Sequence, residues 1–104
     1  MKTDPVLSLL SLCKKAGKIK AGTFQVEESV KKYKSYLVIC ATDSSDRRKD
    51  DVKNMCEFYE VPYILYGTKE DLGNCIGKTS NAILSVEDEK LALSIIEKAD
   101  KNSF

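Results

Sequence analysis

Tyr36-Leu37-Val38-Ile39-Cys40-Ala41 is six apolar residues in a row, and Thr42-Asp43-Ser44-Ser45 follows it at once. The run is too short for a buried helix and rich in strand formers. Because it does not alternate with polar residues, it reads as a strand covered on both faces. A strand covered twice needs helices above and below it, so this stretch sets the architecture.

The flanking segments supply those helices. Asp4-Pro5 offers a capping side chain followed by proline at the first helical position, and Val6, Leu9, Leu10 and Cys13 then repeat at helical spacing until Gly17. Ile19 to Ala21 is a brief strand. Gly22-Thr23 opens a second helix, with Val26, Val30 and Tyr33 on the inner face and Glu27, Glu28, Lys31 and Lys32 on the outer. After the central strand, a serine caps a third helix that turns Val52, Met55, Cys56 and Tyr59 inward and its DRRKDD cluster outward. Val61-Pro62 ends it. Tyr63 to Tyr66 is a strand, Gly67-Thr68 caps a short helix, and Gly77-Lys78-Thr79-Ser80 is an exposed loop. Ala82 to Val86 is the last strand. A helix from about Glu87, carrying Leu91, Ile95 and Ile96, closes the chain before a frayed Asn102 to Phe104. The expected fold class is α/β: a three-layer α/β/α sandwich of about four strands and five helices in a single domain spanning 1–104, with strand order unreadable.

Composition narrows the function. At 104 residues, 42% hydrophobic and 32% charged, the chain suits one folded domain and has no apolar run near the roughly 20 residues of a membrane span. A cytoplasmic, monomeric protein is expected. Four cysteines, Cys13, Cys40, Cys56 and Cys75, are unevenly spaced, with no CxxC pair and no histidine to complete a zinc site, so each reads as a core residue and no metal is expected. The lack of histidine also removes the usual acid and base near neutral pH and leaves Cys40 without an activating partner. No phosphate-loop or dinucleotide glycine pattern is present, so neither a cofactor nor enzymatic activity is expected.

Charge is unevenly distributed. Residues 1–36 hold eight lysines against three carboxylates, net +5, and the rest holds nine basic against thirteen acidic side chains, net −4. A polyanion is drawn to the first third of the chain, although a solvated lysine surface is the simpler explanation. The Gly22-Thr23 helix start offers free amides and a positive dipole end, just after Lys15, Lys18 and Lys20. In alternating folds ligands gather where connections leave one end of the sheet, so Thr42-Asp43 or Gly77 to Ser80 would share that rim.

LSLLSLCKKAGKIKAGTFQVEESV (7–30), LVICATDSS (37–45), MCEFYEVPYILYGTKEDLGNCIGK (55–78) and NAILSVEDE (81–89), taken in order, resemble the kink-turn RNA-binding family of ribosomal proteins, the seven-Ae family, and its bacterial YlxQ-type branch. The resemblance covers nearly the whole chain. It implies a non-enzymatic ribosomal or ribosome-associated protein that recognises a kink-turn, a sharply bent RNA with sheared G·A pairs beside a bulge. In that family the second helix reads RNA through glycine-x-asparagine-glutamate and a lysine three residues on. In this sequence Gly22 keeps the glycine, while Phe24, Gln25 and Glu28 stand at the other three positions. Gln25 carries one carbonyl acceptor and an amide donor where glutamate carries only acceptors, so it reads base edges differently. Phe24 either stacks on an unpaired base or packs against the first helix. Glu28 brings negative charge where the family neutralises phosphate, with Lys31 and Lys32 near enough to compensate. Ile76-Gly77-Lys78-Thr79 occupies the family's second contact loop, and Thr23 and Lys78 complete the implied RNA-binding set. The alternatives are a protein-interaction module of the translation or transcription machinery that kept the fold and lost RNA reading, and a small-molecule binder near Thr42 and Asp43.

Overall fold

The computed structural model describes residues 4–101; the expectation for Asn102 to Phe104 lies outside them. Nine elements follow in order: α1 (Pro5–Lys15), β1 (Ile19–Ala21), α2 (Thr23–Lys31), β2 (Leu37–Cys40), α3 (Asp46–Tyr59), β3 (Tyr63–Leu65), α4 (Lys69–Cys75), β4 (Ile83–Val86) and α5 (Glu89–Lys101). The strands form one sheet in the order β1-β4-β2-β3. β2 and β3 are parallel, and β4 runs antiparallel to both β1 and β2.

β2 is covered on both sides, as its unbroken apolar run requires. Leu37, Ile39 and Ala41 join Val6, Leu10, Leu72, Ala92 and Ile95 of α1, α4 and α5 in one cluster. Val38 and Cys40 face the other way and join Val26, Val30, Val52 and Cys56 of α2 and α3. The molecule is therefore an α/β/α sandwich, with three helices on one face of a mixed four-stranded sheet and two on the other.

Local chemistry sets the helix ends. Asp4 accepts from the amides of Val6 and Leu7 at 2.8 and 3.1 Å. α1 stops in a paired carbonyl cap: Gly17, at φ +72°, donates to Lys14 O and Lys18 donates to Cys13 O. Thr68 and Asp71 form a reciprocal capping box at α4. Asp88, immediately before α5, accepts from the Leu91 amide at 2.9 Å.

Three burial expectations fail, the first at Tyr36, which opens the apolar run but precedes β2 and is 43% exposed. Tyr33 is 75% exposed, because α2 ends at Lys31 and Tyr33 enters the left-handed region at φ +57°, which turns its ring off the inner face. It rests edge-on against Tyr59 with ring centroids 6.0 Å apart. Cys75 is half-buried rather than core, its thiol directed at the Leu7 carbonyl. Cys13 and Cys56 are buried, and burial pushes their thiols up to about 11 and about 12, with Asp88 and Cys40 adding to the respective effects. They stay protonated and unreactive near neutral pH.

Candidate nucleic-acid interface

Register decides what meets what. β1 ends where β4 begins, with Ala21 opposite Leu84, and β4 begins where β2 ends, with Ile83 opposite Cys40. The connections leaving β1, β2 and β3 and the one entering β4 thus share one end of the sheet. Backbone hydrogen bonds lace this rim together: Gly22 N donates to Ile83 O, Ala41 N to Ala82 O, and Thr42 N to Gly67 O, at 3.3, 2.8 and 2.8 Å. Asp43 accepts from the Lys69 amide at 2.8 Å. Thr42-Asp43 and the end of the 77–80 loop therefore lie on the same rim as the start of α2.

Gly22 holds φ +95° and ψ 155°, a conformation that belongs almost solely to glycine. No side chain caps the helix it opens, and the first helical hydrogen bond runs from Val26 N to Gly22 O. The amides of residues 23 to 25 thus point outward over the rim, at the positive end of the helix dipole. Thr23 and Gln25 are exposed, and Phe24 is 67% exposed, which removes packing against α1 as the explanation for this ring. On one flank of α2, Gln25, Glu28, Lys32, Lys20, Lys34 and Glu87 line a recess of about 190 Å³. Glu28 pairs there with Lys32 at 3.1 Å, so its negative charge is offset within the helix, while Lys31 stays exposed. Beneath, Ser29, Ser85, Ser35 and Glu87 form a chain of hydrogen bonds 2.7–2.8 Å long that fixes α2 on the sheet.

The other expected residues separate into groups. Gly77, Lys78 and Thr79 are exposed and share a groove with Asp43 and Lys69. That loop runs so close to α4 that a Cβ on Gly73 would stand 2.6 Å from the Ser80 nitrogen. Ile76 is 7% exposed and belongs to the core, so its side chain anchors the loop instead of presenting a contact. Lys15 and Lys18 are close to Gly22 in sequence and not in space. Tyr66 ties Asp4, and with it the start of α1, to the rim at 2.8 Å, so Lys15 ends an 11-residue helix about 16 Å away. Lys18 precedes β1, about 13 Å below Gly22 by the strand rise. Lys20 is the one lysine of the three beside α2.

One rim residue escaped the sequence reading. Arg48, in the first turn of α3, donates from Nη1 to Thr23 Oγ1 at 2.6 Å. In sequence it lies in DRRKDD, which reads as a solvated face, and nothing there reveals a reach of 25 residues to α2. Among the described residues no cluster of carboxylates and thiols is placed to hold a metal ion, and no helix is long and apolar enough to cross a membrane.

Residues 4–95 match the ribosomal protein L7Ae/L30e/S12e/Gadd45 family. The chain belongs to that family. Its relatives include the RNA-binding protein YlxQ of Bacillus subtilis, 29% identical over 88% of this chain and 92% of that one. The large ribosomal subunit protein eL8 of Thermoplasma volcanium is 33% identical over 95% and 86%. Among solved structures, a protein of unknown function from Bacillus halodurans superposes with a TM-score of 0.91 at 28% identity, covering 94% of this chain and 99% of that one. The Giardia lamblia 15.5kD RNA binding protein superposes at 0.77 with 26% identity, over 93% and 83%. The fold and the family expected from the sequence are both borne out.

Proposed function

We propose that this protein is a non-enzymatic RNA-binding protein, ribosomal or ribosome-associated, that recognises a kink-turn or a similarly bent RNA through the rim. The observation that carries this reading is the uncapped start of α2. Bare amides, Thr23, Phe24 and Gln25 project there between Lys20 on one side and the loop bearing Lys78 on the other. Sheared G·A pairs offer exposed base edges to Gln25, a flipped base offers a face to Phe24, and phosphates meet the lysines. The names of the relatives, an RNA-binding protein and a ribosomal subunit protein among them, point the same way.

The test is titration with a kink-turn RNA and with the same RNA whose G·A pairs are replaced by Watson-Crick pairs. Tighter binding of the kink-turn is expected. Equal affinity removes specific recognition of the bend. With several lysines on phosphates, log K falls with log salt by about 0.7 to 0.9 per contact, the higher value being that of duplex DNA.

A second reading has its own observation. Phe58 and Tyr33 are 79% and 75% exposed at the end of the α2/α3 layer remote from the rim, a composition typical of protein contacts. A protein-interaction module would bind neither RNA above background, which separates the two readings.

A further inference from the structure

We propose that Arg48 is an RNA-contacting residue: a phosphate-binding arm lent by α3 to the α2 interface, with Thr23 as its positioning partner. The inference rests on the RNA-binding reading above and extends it to a residue outside α2.

The argument begins with the cations of α2. Of the residues after its start, Glu28 is acidic and Lys32 is turned onto it at 3.1 Å. This pair leaves the first two turns without net positive charge on that flank. On the opposite flank, a cleft of about 320 Å³ separates α2 from α3, with Val52, Met55 and Ile83 among its lining residues. Arg48 stands at its edge, half-buried, its stem along α3 and its Nη1 on the Thr23 hydroxyl. Glu27 and Asp51 also line the cleft, yet neither forms an ion pair with Arg48. A guanidinium has five N–H donors, and the Thr23 bond uses one. Four remain, in a plane fixed at one corner. Such a fork suits two oxygens of a phosphate and loses less freedom on binding than a mobile lysine. Arg47, exposed beside it, adds charge to the same approach.

Thr23 explains why the arm points where it does. Its hydroxyl both accepts from Arg48 and lies at the first position of α2, so the guanidinium is carried to the rim although it starts 25 residues away in sequence.

The experiment is a set of kink-turn RNA titrations at several salt concentrations with wild type, Arg48→Ala, Arg48→Lys and Thr23→Val, with thermal melting to verify each fold. Arg48→Ala is expected to lower affinity about tenfold, the loss of a charge-assisted hydrogen bond. It should also reduce the salt slope by about 0.7 to 0.9. Arg48→Lys should keep the slope and lose part of the affinity, and Thr23→Val should keep the slope with a smaller loss. A purely structural Arg48–Thr23 bond predicts instead a lower melting temperature with affinity per folded molecule and slope unchanged, and that result overturns the proposal. If wild type binds kink-turn and Watson-Crick RNA alike, recognition of the bend fails, while the Arg48 slope still decides the contact. If wild type binds no RNA, both fall together.

Discussion

The two ends of the sheet solve the same backbone problem with different residues. At the rim, the left-handed positions are Gly22, Gly67 and, in the loop returning to it, Gly77. At the opposite end Gly17 closes α1 in the same way, but where α2 and α3 finish, left-handed conformations are held by Tyr33 and Glu60. A glycine leaves bare peptide that another molecule can approach closely, and a tyrosine or glutamate covers it. One end thus keeps its backbone open to close approach, while α2 and α3 at the other tolerate about 1 to 2 kcal/mol of left-handed strain per non-glycine residue. That end finishes in a cluster of aromatic rings, Tyr33, Tyr59 and Phe58.

This contrast is sharpest at Gly22. Gly22→Val forces a β-branched side chain into a glycine-only conformation at a cost of about 1 to 3 kcal/mol. RNA affinity should drop tenfold or more, measured by filter binding alongside a urea unfolding curve. Unchanged affinity would mean that the rim is not the contact surface. Next in size is charge reversal at Lys20, beside α2, which should weaken RNA binding about tenfold, a change equivalent to about 1.4 kcal/mol. Lys15→Glu and Lys18→Glu, placed away from the rim, should each change it less than threefold. Equal effects at all three would show that total charge, and not the rim, governs binding.

At the far end the direction reverses. Glu60→Gly relieves a left-handed residue and should raise stability by about 1 kcal/mol with RNA affinity intact, read from urea midpoints. A fall in affinity would tie that end to the interface. The smallest effect is expected at Phe58, whose ring meets Tyr59 edge-on with centroids 4.9 Å apart. Phe58→Ala should cost about 0.5 kcal/mol, the low end for an aromatic pair, and leave RNA titrations superimposable.

Much of this fold is written locally. Asp4-Pro5, Gly17, Ser45 and the Thr68–Asp71 box mark helix ends through bonds spanning only a few residues, and the YLVICA run announces its double burial. Where the reading failed, the cause is non-local or lies at an element's end. The apolar periodicity of α2 runs on in sequence to Tyr33, past a C-cap at Lys32 that no proline or glycine signals. Lys15 and Lys18 precede Gly22 in the chain, but the direction of α1 and β1 carries them away from it. Arg48 occupies a position that any solvated helix face would offer, and only the packing of α3 beside α2 reveals its reach. Strand order had no local sign at all.

That order has a consequence for synthesis. β1 touches no strand but β4, which inserts between β1 and β2 from the C-terminal third of the chain. The first two helices and β2 can form as the chain emerges, yet the register that sets Gly22 against Ile83 waits for residue 86. At about 5 to 20 residues per second, the roughly 65 residues after Gly22 occupy several seconds. During that interval the lysine-rich first third lacks the register that holds the start of α2, so on the function proposed above specificity would be the last property the nascent protein acquires.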